Sequence, residues 1–589
     1  MDVIVGIDLG TTNSEVAIIR AGRPVVLEEN GEAILPSVVG LDTAGRLLVG
    51  AAARNQAALA PERTVRSVKR KMGQDVKVSL GDEAYAPQEI SAMILRTLKQ
   101  RAEAALGQPV SKAVITVPAF FTEGQREATR EAGELAGLEV VRIINEPTAA
   151  VLTYDAHPPE MERLLVYDLG GGTFDVSIAQ VEQGVVEILA SHGDTELGGD
   201  DFDERLLALV CDRFLAEHGI DLRESAVARS RLFAAVEDAK KRLSVEPIAT
   251  ISEEFIAEDQ GVPLHLNLEV TRDEYEDLIE PLLAKTLRCV DQALSDARLQ
   301  AQQIEKVLLV GGATRTPLVR RLLASRLGRP VHAEIEPDLA VAMGAAVQAG
   351  LIAGVDVGPV LVDITPHTLG IEALGERDGV PSKHCFSAII ERNTPLPATR
   401  TESYSTVYDG QKEAEIRVFQ GENEDTRFNS LVGEFRIQGL ADVRAPNRLL
   451  VRLDLDLNGI LRVTAVESAT GLSKQVVIDN MMERFRTRQR VDALERLDRL
   501  FEPFPGEAPL EIESPEEEAL DPALQDALAK AQAAIGQAAR IESAAHPEDA
   551  AELKAMLADL KSAVERRLPD DIGRIVAEVE DLLFYLDQG

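Results

Sequence analysis

Cysteine is scarce in this chain, basic residues are outnumbered, and long apolar runs are missing. The three cysteines, Cys211, Cys289 and Cys385, lie far apart and form no C-x-x-C pair. That spacing argues against a disulfide framework or a zinc site and suits a reducing compartment. Cys211 shares an apolar helix face with Phe202, Leu206, Val210 and Phe214, so it reads as a packed core thiol and not a nucleophile. Lys and Arg number 62 against 99 Asp and Glu, a formal net charge of -37. A chain this acidic repels phosphate backbones and anionic lipid, which argues against nucleic acid and membrane as partners. A local site can still hold one small anion. No run of about 18 apolar residues is present to span a bilayer. The chain enters a strand pattern at Val3 with no basic segment and apolar run ahead of it, so a cytoplasmic protein without a secretory leader is expected.

The 589 residues exceed what one core can organise and point to three or four domains. Apolar residues make up 45% and charged residues 27%, the mix of a soluble globular protein. Residues 1–355 alternate strand runs (VIVGIDLG, KAVITVPAF, RLLVYDLGG, KVLLVGGAT) with helical runs such as DFDERLLALVCDRFLAEHG, an α/β signature. Over 364–480 the period falls to two. In LLVRLDLDLNGILRV the residues Val451, Leu453, Leu455 and Leu457 alternate with Arg452, Asp454 and Asp456, and Asn458-Gly459 turns the chain into a hairpin. TESYSTVYDGQKEAEIRVFQGEN reads the same way around Asp409-Gly410. The expectation is an all-β unit of about eight strands. Residues 481–589 return to helical spacing. MERFRTRQRVDALERLDRLF reads as one helix, and a proline-bearing acidic break follows at 502–522. Between Glu502 and Asp526 stand nine acidic side chains and no basic one, the composition of an extended linker.

One pattern occurs twice: VGIDLGTTNSEV from Val5 and VYDLGGGTFDV from Val166, with Asp8 and Asp168 at matching places. Small residues in a turn let backbone N–H groups approach phosphate oxygens. Thr11, Thr12 and Thr173 add hydroxyls. An Asp at a strand end can hold the waters of a magnesium ion, which keeps much of its hydration. Two such turns facing each other would clamp a nucleotide's phosphates, so the repeat reads as a duplicated half-domain with the ligand in the cleft between halves. Two ordinary glycine-rich hairpins are the plain alternative, made less attractive by the repetition. No G-x-x-x-x-G-K-[ST] loop occurs, and Gly170-Gly171-Gly172 leads into a strand pattern, not the helix of a dinucleotide fold.

Together IDLGTTNS, VPAFF, INEPTAA, DLGGGTFDVS, GDTELGGDDFD, VGGATRTP, VDITPHTLGIE and SYSTVYDGQ resemble the seventy-kilodalton heat-shock, or DnaK, chaperone family from Ile7 to about Asp479. IIERNTPLPATRTESYSTVYDGQ and HTLGIE resemble its HscC-type branch. The resemblance implies an actin-like ATPase domain of two ribonuclease-H-like halves over 1–355, a hydrophobic linker over 356–363, a peptide-binding β-sandwich and an α-helical lid. It implies ATP and ADP as ligands with magnesium, and potassium as a further candidate. Asp8, Asp168 and Asp175 would surround the metal, largely through water. Gly10, Thr11, Thr12, Asn13, Gly170, Gly171, Gly172 and Thr173 would cradle the phosphates, with Gly198, Gly199, Asp200, Gly311 and Asp338 completing the cleft. Lys69 would hold the attacking water and Glu146 would sense the γ-phosphate. Alone, Lys69 reads as a surface charge and Glu146 as a helix-start carboxylate. Adenine recognition would fall to Glu237, Lys240, Lys241, Ser244, Gly312 and Arg315. Glu336, Leu339 and Met343 depart from the usual family residues beside Asp338.

The resemblance also implies a relay from the γ-phosphate through Pro118, Arg126, Arg142 and Glu146 to the linker residues Val360, Leu361, Val362 and Asp363. The linker would dock in one nucleotide state and leave in the other; read alone, it could be a strand of the next unit. Peptide contact would use Leu374, Tyr404, Val407, Ala414 and Ile416, with Ala414 where relatives carry a larger aliphatic residue. Without the resemblance, these five read as plain sandwich core. Unfolded or client polypeptides and a J-domain co-chaperone are the implied partners, and the need for a nucleotide exchange factor stays open. No E-E-V-D tail for partner docking is read at YLDQG. Two rival readings stand beside this one. An actin-like sugar kinase would share the phosphate turns but has no use for a β-unit and helical tail. A non-hydrolysing holdase or exchange relative would lack the set of Lys69, Asp8, Asp168 and Thr173, which is present here.

Overall fold

The computed structural model describes residues 3–154, 161–331, 336–355, 357–377, 379–444, 446–457, 459–478 and 487–502, and short helical pieces within 530–579. It divides into two compact units, Met1–Phe501 and Glu502–Gly589. The expected acidic break at 502–522 lies almost wholly outside the described residues, as do Asn458 and the start of the helix expected from Met482.

The first unit begins with two sheets built on one plan. Strand Ile4–Leu9 forms a hairpin with Asn13–Arg20, is flanked by Arg23–Val26 beyond the hairpin, and takes Lys112–Val117 as a parallel neighbour on its other side. Strand Glu162–Leu169 pairs with Phe174–Glu182, is followed by Val185–Asp194, and takes Lys306–Val310 in parallel. Each hairpin inverts direction through a four-residue turn, Gly10–Asn13 region in one and Gly170–Thr173 in the other. Mixed sheets with parallel crossovers need both faces covered. Helices Glu146–Thr153 and Ala340–Ile352 fill the space between the sheets with Ala149, Ala150, Ala345 and Ala349 against Val114, Val166 and Leu308. Helices Gly199–His218, Ala226–Leu243 and Arg272–Asp296 cover the far face of the second sheet. Cys211 is fully buried there, as its helical spacing predicts.

Helix Ala340–Ile352 is so poor in bulk because backbones meet across it. A Cβ on Gly344 would stand 1.8 Å from the carbonyl oxygen of Ala149, and one on Gly6 would stand 2.1 Å from the amide of Ala346. Both contacts are with backbone, which cannot swing aside.

The β-unit is two four-stranded antiparallel sheets face to face. One runs Val380–Ile390, Leu369–Arg377, Glu413–Gln420, Ser430–Gln438; the other runs Ala398–Ser405, Arg448–Leu455, Leu461–Glu467, Ser473–Ile478. The Leu455-to-Leu461 hairpin forms as its alternation predicts. The hairpin expected around Asp409-Gly410 does not. Strand Ala398–Ser405 pairs along its length with Arg448–Leu455, and Glu413–Gln420 pairs with Ser430–Gln438. The segment between them carries the chain from one sheet to the other. A turn residue reports only that the chain bends, while the strand partner is chosen by the apolar faces. Val418, Val432 and Ile437 of one sheet pack on Val451, Leu453 and Val463 of the other.

Two connections tie this β-unit and the last described long helix to the α/β body. Val360–Val362 adds in parallel to Val185–Glu187 as a fifth strand of the second sheet. Helix Thr487–Phe501 lies on the first sheet's helices Pro87–Leu106 and Glu123–Leu135, burying Ala493 and Leu497. Arg496 pairs with Glu89, a fully buried acid that also accepts the Ala86 amide at 2.7 Å; Arg490 meets Glu134 at 2.7 Å, and Arg96 meets Asp498 at 2.7 Å.

Gly344→Ala is expected to destabilise the α/β body by about 1–3 kcal/mol or more, because the added methyl must displace backbone. A lowered urea midpoint with a circular-dichroism signal from the α/β region is the check; an unchanged midpoint contradicts the close packing.

Candidate functional site

The two hairpins place chemistry at the same register. Asp8 pairs with Glu15 across the first hairpin, and Asp168 pairs with Asp175 across the second. Cross-strand partners share a sheet face, so in each half the two acids lie side by side on one face. Glu15 escaped the sequence reading, although its seven-residue spacing from Asp8 equals that of Asp175 from Asp168.

The turns face each other across a cleft with an inner chamber and a wider outer part. Asp8, Gly10, Thr11, Thr12, Asn13, Glu15, Lys69, Glu146, Asp168, Gly170, Gly171, Thr173 and Gly311 line the chamber. The outer part has a volume of about 1550 Å³, some of it open to solvent, and is lined by Gly199, Asp200, Asp203, Glu237, Lys240, Lys241, Ser244 and Arg315. Gly312 and Asp338 border both. Gly172, Gly198 and Asp175 stand behind the lining. A Cβ on Gly198 would come 2.5 Å from the Gly171 carbonyl, and one on Gly171 would come 1.8 Å from the Thr12 hydroxyl. These glycines therefore let two loops meet. Asp175 turns to accept the Phe120 amide at 3.0 Å, which explains why it leaves the chamber wall.

Lys69 is 3% exposed and pairs with Glu146. It rides on the short 3-10 turn Val68–Lys71. Asp8 accepts from the Thr116 hydroxyl at 2.6 Å. The hydroxyl of Thr12 is buried on the chamber wall without a hydrogen-bond partner, an arrangement that invites an acceptor such as a phosphate oxygen. Further contacts bridge the halves. Arg66 meets Glu237 at 3.1 Å and stacks 4.6 Å from the Phe233 ring; Ser67 donates to Asp200 at 2.6 Å; Arg70 donates to the Gly172 carbonyl at 3.1 Å and pairs with Asp201. The sequence reading missed Arg66, Ser67 and Arg70, because a bridge between distant segments leaves no local periodicity. Lys240 is held by Asp203 at 2.6 Å, and Arg315 by Asp338 at 2.6 Å.

Beyond the chamber, Glu146 is followed back along the chain by Asn145, whose amide donates to Asp363 at 3.0 Å. Arg126 donates to the Asn145 side-chain oxygen at 2.6 Å and to the Ala119 carbonyl at 2.9 Å. Pro118 begins that same loop, and Arg142 lies partly buried on strand Glu139–Asn145. His367 of the β-unit is bonded to the Phe120 carbonyl at 3.0 Å, and burial pushes its pKa down to about 4. The five expected peptide positions are less uniform. Leu374 and Val407 are exposed at 61% and 63%, Tyr404 and Ala414 are half-buried, and Ile416 is buried in the sandwich core. Strand alternation puts Ala414, Ile416 and Val418 on one face, and depth into the core increases along it. The Tyr404 hydroxyl shares a 2.9 Å hydrogen bond with Ser387.

The chamber's charges are set by burial. Glu146 and Asp175 are each raised to about 7, and Asp8, Glu15 and Asp168 are also raised above the ordinary carboxyl range. Loss of water is the largest cause in every case, and the Lys69 ammonium pulls each of them back down. Groups raised in the folded state stabilise it fully below their unfolded values near 4, and that contribution is lost as pH rises through about 7. The thermal midpoint of the ligand-free protein's α/β body is thus expected to fall between pH 4.5 and 7.5, and Glu146→Gln to flatten the fall. A midpoint that rises over this range contradicts the assignment.

The Hsp70 protein family profile matches residues 4–583. The chaperone protein DnaK of Thermotoga petrophila and that of Thermotoga maritima are each 46% identical to the chain over 486 residues, 81% of this chain and 80% of each relative. With two matching hairpins across one cleft and a β-sandwich tied to them by a short strand, the chain belongs to the Hsp70 family.

Proposed function

We infer that this protein is an ATP-driven molecular chaperone, hydrolysing ATP in the α/β cleft and binding polypeptide clients through its β-sandwich. One observation carries the link between the two tasks. Glu146 lies on the chamber wall beside Lys69, and its chain neighbour Asn145 is bonded to Asp363, directly after strand Val360–Val362. A change at the phosphates is therefore one residue away from the linker.

In this reading the outer cleft takes the nucleoside of ATP, between Glu237, Lys240, Lys241 and Ser244 on one side and Gly312 and Arg315 on the other. The backbone amides of Gly10–Asn13 and Gly170–Thr173 and the unpartnered Thr12 hydroxyl receive the phosphates. Among the described residues no three acids, histidines or cysteines converge closely enough to hold a bare ion, so Asp8 and Asp168 suit a magnesium ion that keeps its waters. When bound, that ion would neutralise charge on the phosphoryl oxygens. Lys69 orients the attacking water and offsets developing negative charge, with Thr173 and Glu146 completing its surroundings. A sugar kinase is not favoured, because the tethered sandwich would be idle in it.

The linker then acts as the bistable element that allostery requires. With strand Val360–Val362 added to the sheet, the sandwich and helix Thr487–Phe501 both rest on the α/β body; with it released, they are free to close on a peptide. Val407, Leu374, Tyr404 and Ala414 are the proposed peptide contacts, with Ile416 packed in the core behind them. Extended clients bound through backbone hydrogen bonds would be held with little sequence demand. A J-domain co-chaperone and magnesium-dependent turnover in the cytoplasm complete the proposal. Among the described residues no helix is long and apolar enough to cross a membrane.

Lys69→Ala is expected to lower single-turnover hydrolysis at least about 100-fold, the usual loss when one positioned charge is removed from a transition state. ATP binding measured by calorimetry should persist. Near-normal turnover would remove Lys69 from the mechanism. Leu361→Asp is expected to leave ATP hydrolysis intact while ATP no longer speeds peptide release. A carboxylate in place of the packed Leu361 costs roughly several kcal/mol to desolvate. Stopped-flow release of a labelled apolar peptide is the check, and ATP-accelerated release in this variant refutes linker docking.

A further inference from the structure

The turn that carries Lys69 opens on a residue in a conformation it does not favour. Ser67 has φ 52° and ψ 32°, in the left-handed region. There a Cβ crowds the following carbonyl oxygen, and glycine or asparagine is the usual occupant. Such a residue persists only where its surroundings hold it, and sites of this kind gather at functional centres.

What holds Ser67 comes from the opposite half of the cleft. Its hydroxyl donates to Asp200 at 2.6 Å. Asp200 sits in the first turn of helix Gly199–His218, and its amide donates to the Gly171 carbonyl at 2.7 Å. Three residues beyond Ser67, Arg70 is bound to the Gly172 carbonyl and to Asp201. The turn Val68–Lys71 is thus clipped at both ends to the second half's phosphate loop and the helix beside it. Lys69 lies between the clips, with its ammonium on Glu146.

We propose that Ser67 is a positioning residue that makes the placement of Lys69 conditional on closure of the cleft. This rests on the reading of Lys69 given above. While the halves are together, the Asp200 contact outweighs the backbone's preference. When they part, the hydroxyl loses its partner, residue 67 returns to a right-handed or extended conformation, and the turn draws Lys69 out of the chamber. An open cleft would then be disarmed as well as leaky, so that hydrolysis is confined to the closed state.

The backbone chemistry gives a test that a merely structural contact would fail. Single-turnover hydrolysis at saturating magnesium-ATP is measured for Ser67→Ala, Ser67→Gly, Asp200→Ala and Lys69→Ala. Ser67→Ala loses the hydrogen bond and keeps the crowded Cβ, and its rate is expected to fall about tenfold, equivalent to about 1.4 kcal/mol. Ser67→Gly loses the same bond without the crowding, and is expected to stay within about threefold of the parent. ATP dissociation should quicken alike in both, since both lose the bridge between halves. Asp200→Ala should fall at least as far as Ser67→Ala, because it removes the same contact. Equal rates for Ser67→Ala and Ser67→Gly overturn the proposal, as does a parent-like rate for Asp200→Ala. If Lys69→Ala hydrolyses normally, the reading of Lys69 has failed, whatever Ser67 does.

Discussion

One buried ammonium organises the cleft. Lys69 sits among Asp8, Glu15, Glu146, Asp168 and Asp175, and its charge moderates the proton affinity of all five. A lone cation offsets five buried carboxylates only in part, and loss of water holds the proton affinity of all five above the ordinary carboxyl range. The chamber is consequently prepared for added positive charge. This suits a nucleotide that arrives with a cation and suits a bare anion poorly. The strongly acidic chain can thus take an anionic ligand without contradiction, because its local field suits one that carries positive charge with it.

The arrangement comes from repeating one hairpin. Matching strand order, matching turns and the matching Asp-to-acid register give two halves whose loops meet head to head, with glycine at the points where backbone touches side chain. The halves then diverge in use. Glu15 remains on the chamber wall, while its counterpart Asp175 has turned to the Phe120 loop, which leads toward the linker. One half looks inward to the ligand, and the other also looks outward to the β-unit.

Much of this was legible in the sequence, for definite reasons. The α/β alternation, the Val451–Leu455 strand and the buried Cys211 follow from periodicity, which is a local property. The Asp-Leu-Gly repeat exposed the paired turns because each is a short contiguous segment. What stayed hidden depends on contacts between remote segments. Arg66, Ser67 and Arg70 cannot be read as bridges until the halves are apposed. The turn at Asp409-Gly410 misled because two apolar faces, not the turn, selected the strand partners. Ile416 was expected at the peptide surface and lies in the core, since alternation fixes which face a residue joins but not how deep that face runs.

The fifth strand of the second sheet has a consequence of its own. Strand Val185–Asp194 would be a sheet edge without Val360–Val362, with unpaired amides and carbonyls open to any extended chain. The protein therefore covers this edge with its own linker for as long as the linker is docked. Three residues of pairing are few enough to let go readily and enough to exclude a stranger. In the reading proposed above, the segment that would report nucleotide state also guards an adhesive sheet edge, so self-association and client release would answer to one movement.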